Sequence, residues 1–290
     1  DSLDGQFICV ANKLSIPPLA SVRDLMYASQ EIEKSEEENI LPEKKWIQQL
    51  VYPGTSLGGA RPKAGVVDEH KTLYVAKFPS RKDDYDVGLW EHLCHLLAKS
   101  AGIHAAETGV LNAGDKYHTL LSRRFDRTQD GKRIHFASAM TLLGLTDGCN
   151  AGTGNGYLDI VDFILQNCCD VESNLRELYR RVAFNICVGN SDDHFRNHGF
   201  LLTKRGWTLA PAYDMNPTTN DYQSILITAS SNKADLNLLL EASEDYMLRR
   251  HEAEAIVNEV VAALKPWKSL ATKLGISERE IALFAGRLPS

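Results

Sequence analysis

The 290-residue sequence predicts an α+β protein of two lobes, a smaller mixed α/β N-lobe over residues 1–125 and a mainly helical C-lobe over 126–290. Three observations lead there. Short apolar runs of strand character fall before residue 126. From Ala137 onward, apolar residues recur at helical spacing. A dense polar stretch, Gly189 to Phe200, sits between a long apolar helix and a hairpin.

Taken in order, residues 1–18 read as irregular, with a short strand at Phe7-Ile8-Cys9-Val10. Pro17-Pro18 precedes a helix whose start, Ser21 with Asp24, has the form of a capping box, and Val22, Leu25, Ser29 and Ile32 mark one face. The acid-rich run Glu31 to Glu38 reads as a solvated helix end, and Trp46, Ile47, Leu50 and Val51 open the next apolar segment. Thr72 to Phe78 is a strand that puts Leu73, Val75 and Lys77 on one face. A helix follows over about Asp84 to Ser100, with Val87, Trp90, Cys94 and Leu97 facing the core, and Tyr117 to Phe125 is another strand. Helices are expected near 139–143, 158–165 and 175–188. The glycine-rich Thr146 to Gly156 between the first two is a mobile loop or a contact for a protein substrate. Phe200-Leu201-Leu202 and Trp207-Thr208-Leu209 form a hairpin, and helices near 233–242, 243–264 and 276–287 complete the scaffold.

With 43% hydrophobic residues the chain can bury a large core, and its net charge of -6 argues against a protein built to coat nucleic acid. The six cysteines have no metal-site spacing, which suits free thiols in a reducing cytoplasm. No apolar run reaches membrane-spanning length and no signal peptide opens the chain. The start, Asp1-Ser2-Leu3-Asp4-Gly5, reads as the interior of a longer protein.

Asp192, Asn197 and Asp214 are the candidate chemistry. Magnesium takes hard oxygen ligands and fills most of its shell with water and substrate phosphate, so an Asn carbonyl and one Asp carboxylate suffice. A further Asp, held off the metal, can orient a hydroxyl and take its proton. Asp192 and Asn197 are separated by four residues, the spacing of base and magnesium ligand in protein-kinase catalytic loops. The same residues would also serve to cap turns.

Pro53 to Lys63 adds three glycines able to turn backbone amides toward an anion, although it matches neither common phosphate-loop pattern and a plain turn explains it as well. Lys77 on an apolar strand face is a candidate grip for nucleotide phosphates, with Glu91 as its helix partner. The alternatives are a lysine reaching out to solvent and an ordinary exposed glutamate. Arg124, Phe125 and Asp126 lie where an adenine-binding hinge would fall. Arg124, Asp126 and Arg127 would equally form a structural ion-pair knot.

Five motifs occur in order: Thr55-Ser56-Leu57-Gly58-Gly59-Ala60-Arg61-Pro62-Lys63, Val75-Ala76-Lys77-Phe78-Pro79-Ser80, Arg123-Arg124-Phe125-Asp126-Arg127, Asn190 through Asn197, and Pro211-Ala212-Tyr213-Asp214. The series resembles the HipA family, serine/threonine kinase toxins of bacterial type II toxin–antitoxin systems, from about residue 15 onward. The resemblance implies a two-lobed, protein-kinase-like fold and transfer of the ATP γ-phosphate to a protein hydroxyl. It makes Asp192 the catalytic base and Asn197 and Asp214 the Mg2+ ligands, with His194 and Arg196 near the transferred phosphate. ATP would be held by Ser56, Leu57, Gly58, Gly59, Ala60, Lys63 and Lys77, and bordered at adenine by Arg124, Phe125 and Asp126. Ser56 matches the serine that relatives autophosphorylate to shut their own site, with Thr55 beside it as the alternative. The implied partners are a protein substrate, an aminoacyl-tRNA synthetase in the best-known member, and a HipB-like DNA-binding antitoxin through which operator DNA is met indirectly. A small β-rich domain would lie upstream of residue 1.

Three other readings compete, one of them a catalytically silent module that works only through antitoxin or operator-complex binding. A small-molecule kinase on the same fold would use the same residues. A metal-dependent phosphoesterase would use the acids to activate water between two metals about 3.5–4 Å apart.

Overall fold

The computed structural model describes residues 16–43, 45–46, 61–128 and 130–289. The chain divides into two compact units, residues 1–89 with 108–124 and residues 90–107 with 125–290.

The first unit packs helix α1 (Val22–Glu37) against a four-stranded antiparallel sheet. Its strands are β1 (Lys63–Val67), β2 (Leu73–Lys77), β3 (Thr108–Leu111) and β4 (Thr119–Arg123), in the order β1-β2-β4-β3. Val22, Leu25 and Met26 of α1 pack on Ala64, Val66, Ala76 and Phe78, which form the buried core of this unit. Leu73, Val75 and Lys77 share one strand face as expected, and α1 covers the other. Tyr74, Ala76 and Phe78 are just as apolar, and α1 covers them. Lys77 is nonetheless buried on the other face, and its cross-strand partner is Lys63. Ser21 does not cap α1 with its side chain. A 3-10 turn over Leu19–Ser21 leads into the helix instead.

Helix α2 (Val87–Ser100) begins in the first unit and from Trp90 onward belongs to the second. The second unit holds a three-stranded antiparallel sheet, β5 (Phe136–Ser138), β6 (Gly199–Thr203) and β7 (Gly206–Leu209), in that order. Its helices are α3 (Ala139–Leu142), α4 (Tyr157–Asn167), α5 (Val171–Val188), α6 (Leu236–Glu241), α7 (Arg250–Leu264), α8 (Trp267–Leu274) and α9 (Glu278–Phe284). Leu175, Leu178, Val182 and Val188 are fully buried, so α5 is the central helix of this unit. Trp90 packs against Trp267 and Phe284, seating the C-terminal helices. The helix expected over 243–264 is two elements. A 3-10 turn at Ala242–Tyr246 ends at Met247, whose φ of 57° is left-handed, and only then does α7 begin. Among the described residues no helix is long and apolar enough to cross a membrane.

Candidate functional site

The polar stretch is built on the end of α5. Gly189 closes that helix in the left-handed region at φ 72°, its N–H donating to the carbonyls of Asn185 and Ile186. A side chain there would be strained by the backbone and would bring a Cβ to 3.0 Å from the Thr218 carbonyl. Thr218 fastens the turn, its N–H and hydroxyl both donating to the Gly189 carbonyl at 2.8 and 2.9 Å. The loop then crosses α3, where the amides of Ala139 and Met140 donate to the carbonyls of His198 and Phe195 at 2.7 and 3.1 Å. Buried Phe195 plugs it into the core, and β6 carries the chain away.

Neighbouring residues on this loop face opposite ways. Asp192 is exposed while Asp193 is buried. Asn197 is buried, and its Nδ2 donates to the backbone carbonyl of Asp192 at 3.3 Å. Packed protein pushes the Asp192 carboxyl above the usual carboxylate range. His194 pulls the other way, and the negative charges of Asp214 and Asp193 add to the rise. The loop thus brings Asp192 and Asn197 together, and Asp214 lies close enough for its charge to be felt at Asp192.

Asp214 is positioned from both sides. The segment before it is stitched to residues 104–106, Ala212 N–H to His104 carbonyl at 2.8 Å and Ala106 N–H to Ala212 carbonyl at 2.9 Å. Buried Arg181 of α5 donates from Nη2 to the Ala210 carbonyl at 2.8 Å and from Nε to Glu177 at 2.8 Å. Asp214 itself has φ 59°, a left-handed backbone that a non-glycine residue adopts at a cost, of the kind concentrated at functional sites. Tyr213 stacks with Phe125 and Phe136, ring centroids 5.7 and 6.3 Å apart.

The other expected site residues fall as follows. Ser56, Leu57, Gly58, Gly59 and Ala60, with Thr55, lie outside the described residues. Lys63 and Lys77 are paired across β1 and β2 in the first unit. Arg124 ends that unit, its N–H donating to the Leu73 carbonyl at 2.8 Å. Phe125 opens the second unit in the aromatic trio, and Asp126 pairs with Arg127 at 2.6 Å. Glu91 is buried in the second unit, where its carboxylate lies 3.5 Å from Asn216 Nδ2. Arg196 pairs with exposed Asp147 of the glycine-rich stretch at 2.8 Å, and the Nδ1 of His194 is buried with no hydrogen-bond partner among the described residues. That stretch is organised by Asn150, which takes the Gly152 amide at 2.7 Å, and by the Ala151 amide on the Ser224 carbonyl at 2.9 Å.

Among the described residues no group of three or more His, Cys, Asp and Glu side chains is arranged to hold a metal by itself. Asn197 and Asp214 fit a different ion. They are one amide oxygen and one carboxylate, the sparse hard-oxygen set that magnesium accepts when phosphate and water supply the rest.

Sequence reasoning missed Tyr213, Arg181, Asn185 and Asn190 as parts of this site. Tyr213 was visible only as a letter beside Asp214. The others sit within an apolar helix or at its end, where a polar residue is easily read as solvent-facing.

The family described as the HipA-like C-terminal domain matches residues 55–267. The protein named "Putative kinase" from Haemophilus influenzae is 28% identical over 195 residues, 60% of this chain and 57% of its own length. The serine/threonine-protein kinase toxin HipA of Shewanella oneidensis is 24% identical over 239 residues, 72% of this chain and 54% of the toxin. The chain therefore spans about half the length of the curated relatives it matches. Among solved structures, the Shewanella oneidensis toxin–antitoxin complex of HipA, HipB and operator DNA matches 95% of this chain and 70% of that one. The TM-score is 0.67 at 17% identity, which establishes a shared fold.

Proposed function

We propose, from the premise that this chain belongs to the HipA-like C-terminal domain family, that it is a kinase moving the γ-phosphoryl group of ATP to a serine or threonine hydroxyl of a protein. The observation that carries the proposal is exposed Asp192 beside Asn197 on one loop of the second unit, with the charge of Asp214 felt at Asp192. Phosphoryl transfer asks for positioning and charge neutralisation more than for covalent help from the protein.

Each group has a role that its surroundings support. Asp192 is open to solvent, and among the described residues no ion pair holds its carboxylate, so it can take a hydrogen bond from an acceptor hydroxyl. It takes the proton as that oxygen bonds to the γ-phosphorus, while the electron pair of the broken phosphorus–oxygen bond leaves on ADP. Asn197 and Asp214 are the residues that would hold magnesium, which when bound supplies charge neutralisation at the phosphate oxygens. Arg196 brings positive charge to the same loop, and His194 adds an imidazole to it. In the first unit, Lys63 and Lys77 set two ammonium groups on facing positions of neighbouring strands, an arrangement that favours a polyanion such as a nucleotide tail. The aromatic face of Phe125 suits an adenine ring.

The finer reading follows the relatives. The Shewanella protein is named a toxin and is seen with HipB and operator DNA. We extend this to a toxin role here, with a DNA-binding antitoxin as partner and Ser56 as a site of self-inhibiting autophosphorylation. The experiment is transfer of label from radiolabelled ATP with magnesium, comparing the parent with Asp192→Ala and Asp214→Ala. Loss of transfer by both, in proteins that still melt cooperatively, supports the assignment. Undiminished transfer by either removes it.

A further inference from the structure

We propose that Asp193 is a positioning residue, the buried post to which the Asp192–Asn197 loop is tied, a reading that rests on the roles given to Asp192 and Asn197 above. One carboxylate oxygen, Oδ2, receives three donors from three separate elements. The Tyr157 hydroxyl, from the first residue of α4, donates at 2.6 Å. Asn185 Nδ2, from the last turn of α5, donates at 2.8 Å. His198 Nε2, just before β6, lies at 2.7 Å.

A carboxylate only accepts, so Nε2 of His198 carries the proton, and the ring's other nitrogen, Nδ1, is buried with no hydrogen-bond partner among the described residues. Asp193 is thus the hydrogen-bond partner of the His198 ring among the described residues. Tyr157 also meets the His198 ring edge to face, centroids 5.6 Å apart at 89°. Asp193, His198 and Tyr157 are each at most 2% exposed.

The network continues toward Asp214. Asn185 Oδ1 accepts from Asn190 Nδ2 at 3.1 Å, and Asn190 Oδ1 accepts the amide of Asn216 at 3.3 Å. One amide side chain, Asn185, therefore touches both the loop that bears Asp192 and the connection to the segment that bears Asp214. Buried polar networks that are nearly satisfied fix a single arrangement, because every alternative strands a desolvated group. This frame runs from the loop that bears Asp192 and Asn197 to the segment that bears Asp214.

A merely structural carboxylate would affect turnover only through the fraction of molecules folded. A positioning one changes turnover in the folded protein and leaves nucleotide binding alone. The test uses the full chain with Asp193→Asn and Tyr157→Phe, the latter removing a single hydroxyl. Label transfer from radiolabelled ATP with magnesium is followed to the chain itself and to casein, beside hydrogen exchange of the amides of residues 190–198 without nucleotide. The expected result is a fall in kcat of about 10- to 100-fold, larger for Asp193→Asn, with KM for ATP within about twofold of the parent and faster exchange confined to that loop. Wild-type kcat in both variants, or losses that follow the folded fraction alone, overturn the proposal. If Asp193→Asn does not fold, Tyr157→Phe decides by itself. A parent that neither transfers label nor gains thermal stability from ATP with magnesium sinks the kinase reading and this proposal together. An active parent with unaffected variants sinks only the proposal.

Discussion

The hydroxyl of Tyr213 donates to the backbone carbonyl of Arg196 at 2.6 Å. This single bond joins the residue before Asp214 to the residue before Asn197. Burial, with the charge of Asp214 adding to it, pushes the Tyr213 phenol well above its ordinary range, so the group stays a donor through neutral pH. Tyr213→Phe keeps the ring packing against Phe125 and Phe136 and deletes only the link. We expect a stability loss of about 1 kcal/mol in urea titration, and a fall in phosphoryl transfer larger than unfolding explains. Unchanged turnover would show that the link is dispensable.

The raised Asp192 carboxyl gives a pH-dependent expectation. A group whose folded pKa exceeds its unfolded value, here 3.8, contributes stability below the unfolded value and loses it as pH rises through the folded one. Asp192→Asn, which cannot ionise, should therefore melt at a higher temperature than the parent near neutral pH while losing transfer. The gap should close in acid. The effect is small because Asp192 is exposed. A variant less stable than the parent at neutral pH would mean that the ionised carboxylate is held favourably.

Arg181 holds the approach to Asp214 from inside α5. Its guanidinium is buried and serves the Ala210 carbonyl and Glu177 together. Arg181→Ala strands both acceptors, so a loss of about 3–5 kcal/mol is expected. Arg181→Lys should recover little, because an ammonium cannot reproduce the planar fork. Equilibrium unfolding of the three proteins gives the comparison.

Gly199 starts β6 where no side chain fits. A Cβ there would lie 2.2 Å from Phe136 Cε2 and 3.2 Å from the Tyr213 hydroxyl. Gly199→Ala should cost about 1–3 kcal/mol by overpacking, and Phe136→Leu in the same chain should return part of it. A stable single variant with an undisturbed near-ultraviolet spectrum would contradict this.

What the sequence disclosed and what it hid have a common physical origin. The hairpin Phe200–Leu209, the long helix before it and the Gly189 stop were legible because each is specified locally, by spacing and by one glycine. The belonging to the HipA-like family was legible because five short motifs keep their order. The buried face of β2 was not, since Tyr74-Ala76-Phe78 and Leu73-Val75-Lys77 alternate equally well and only α1 decides between them. The role of Asp193 left no local signal either. Its partners Tyr157, Asn185 and His198 lie 36, 8 and 5 residues away, and only folding collects them.

The direction of α5 bears on how the protein responds to ions. Its eighteen residues end at the polar loop, so the negative pole of the helix, worth roughly half an electron charge, is added to the acids gathered there. Without a cation this corner of the molecule works against itself. Millimolar magnesium, manganese or calcium should therefore steady the protein even with no nucleotide present, and sodium chloride at equal ionic strength should do so far less.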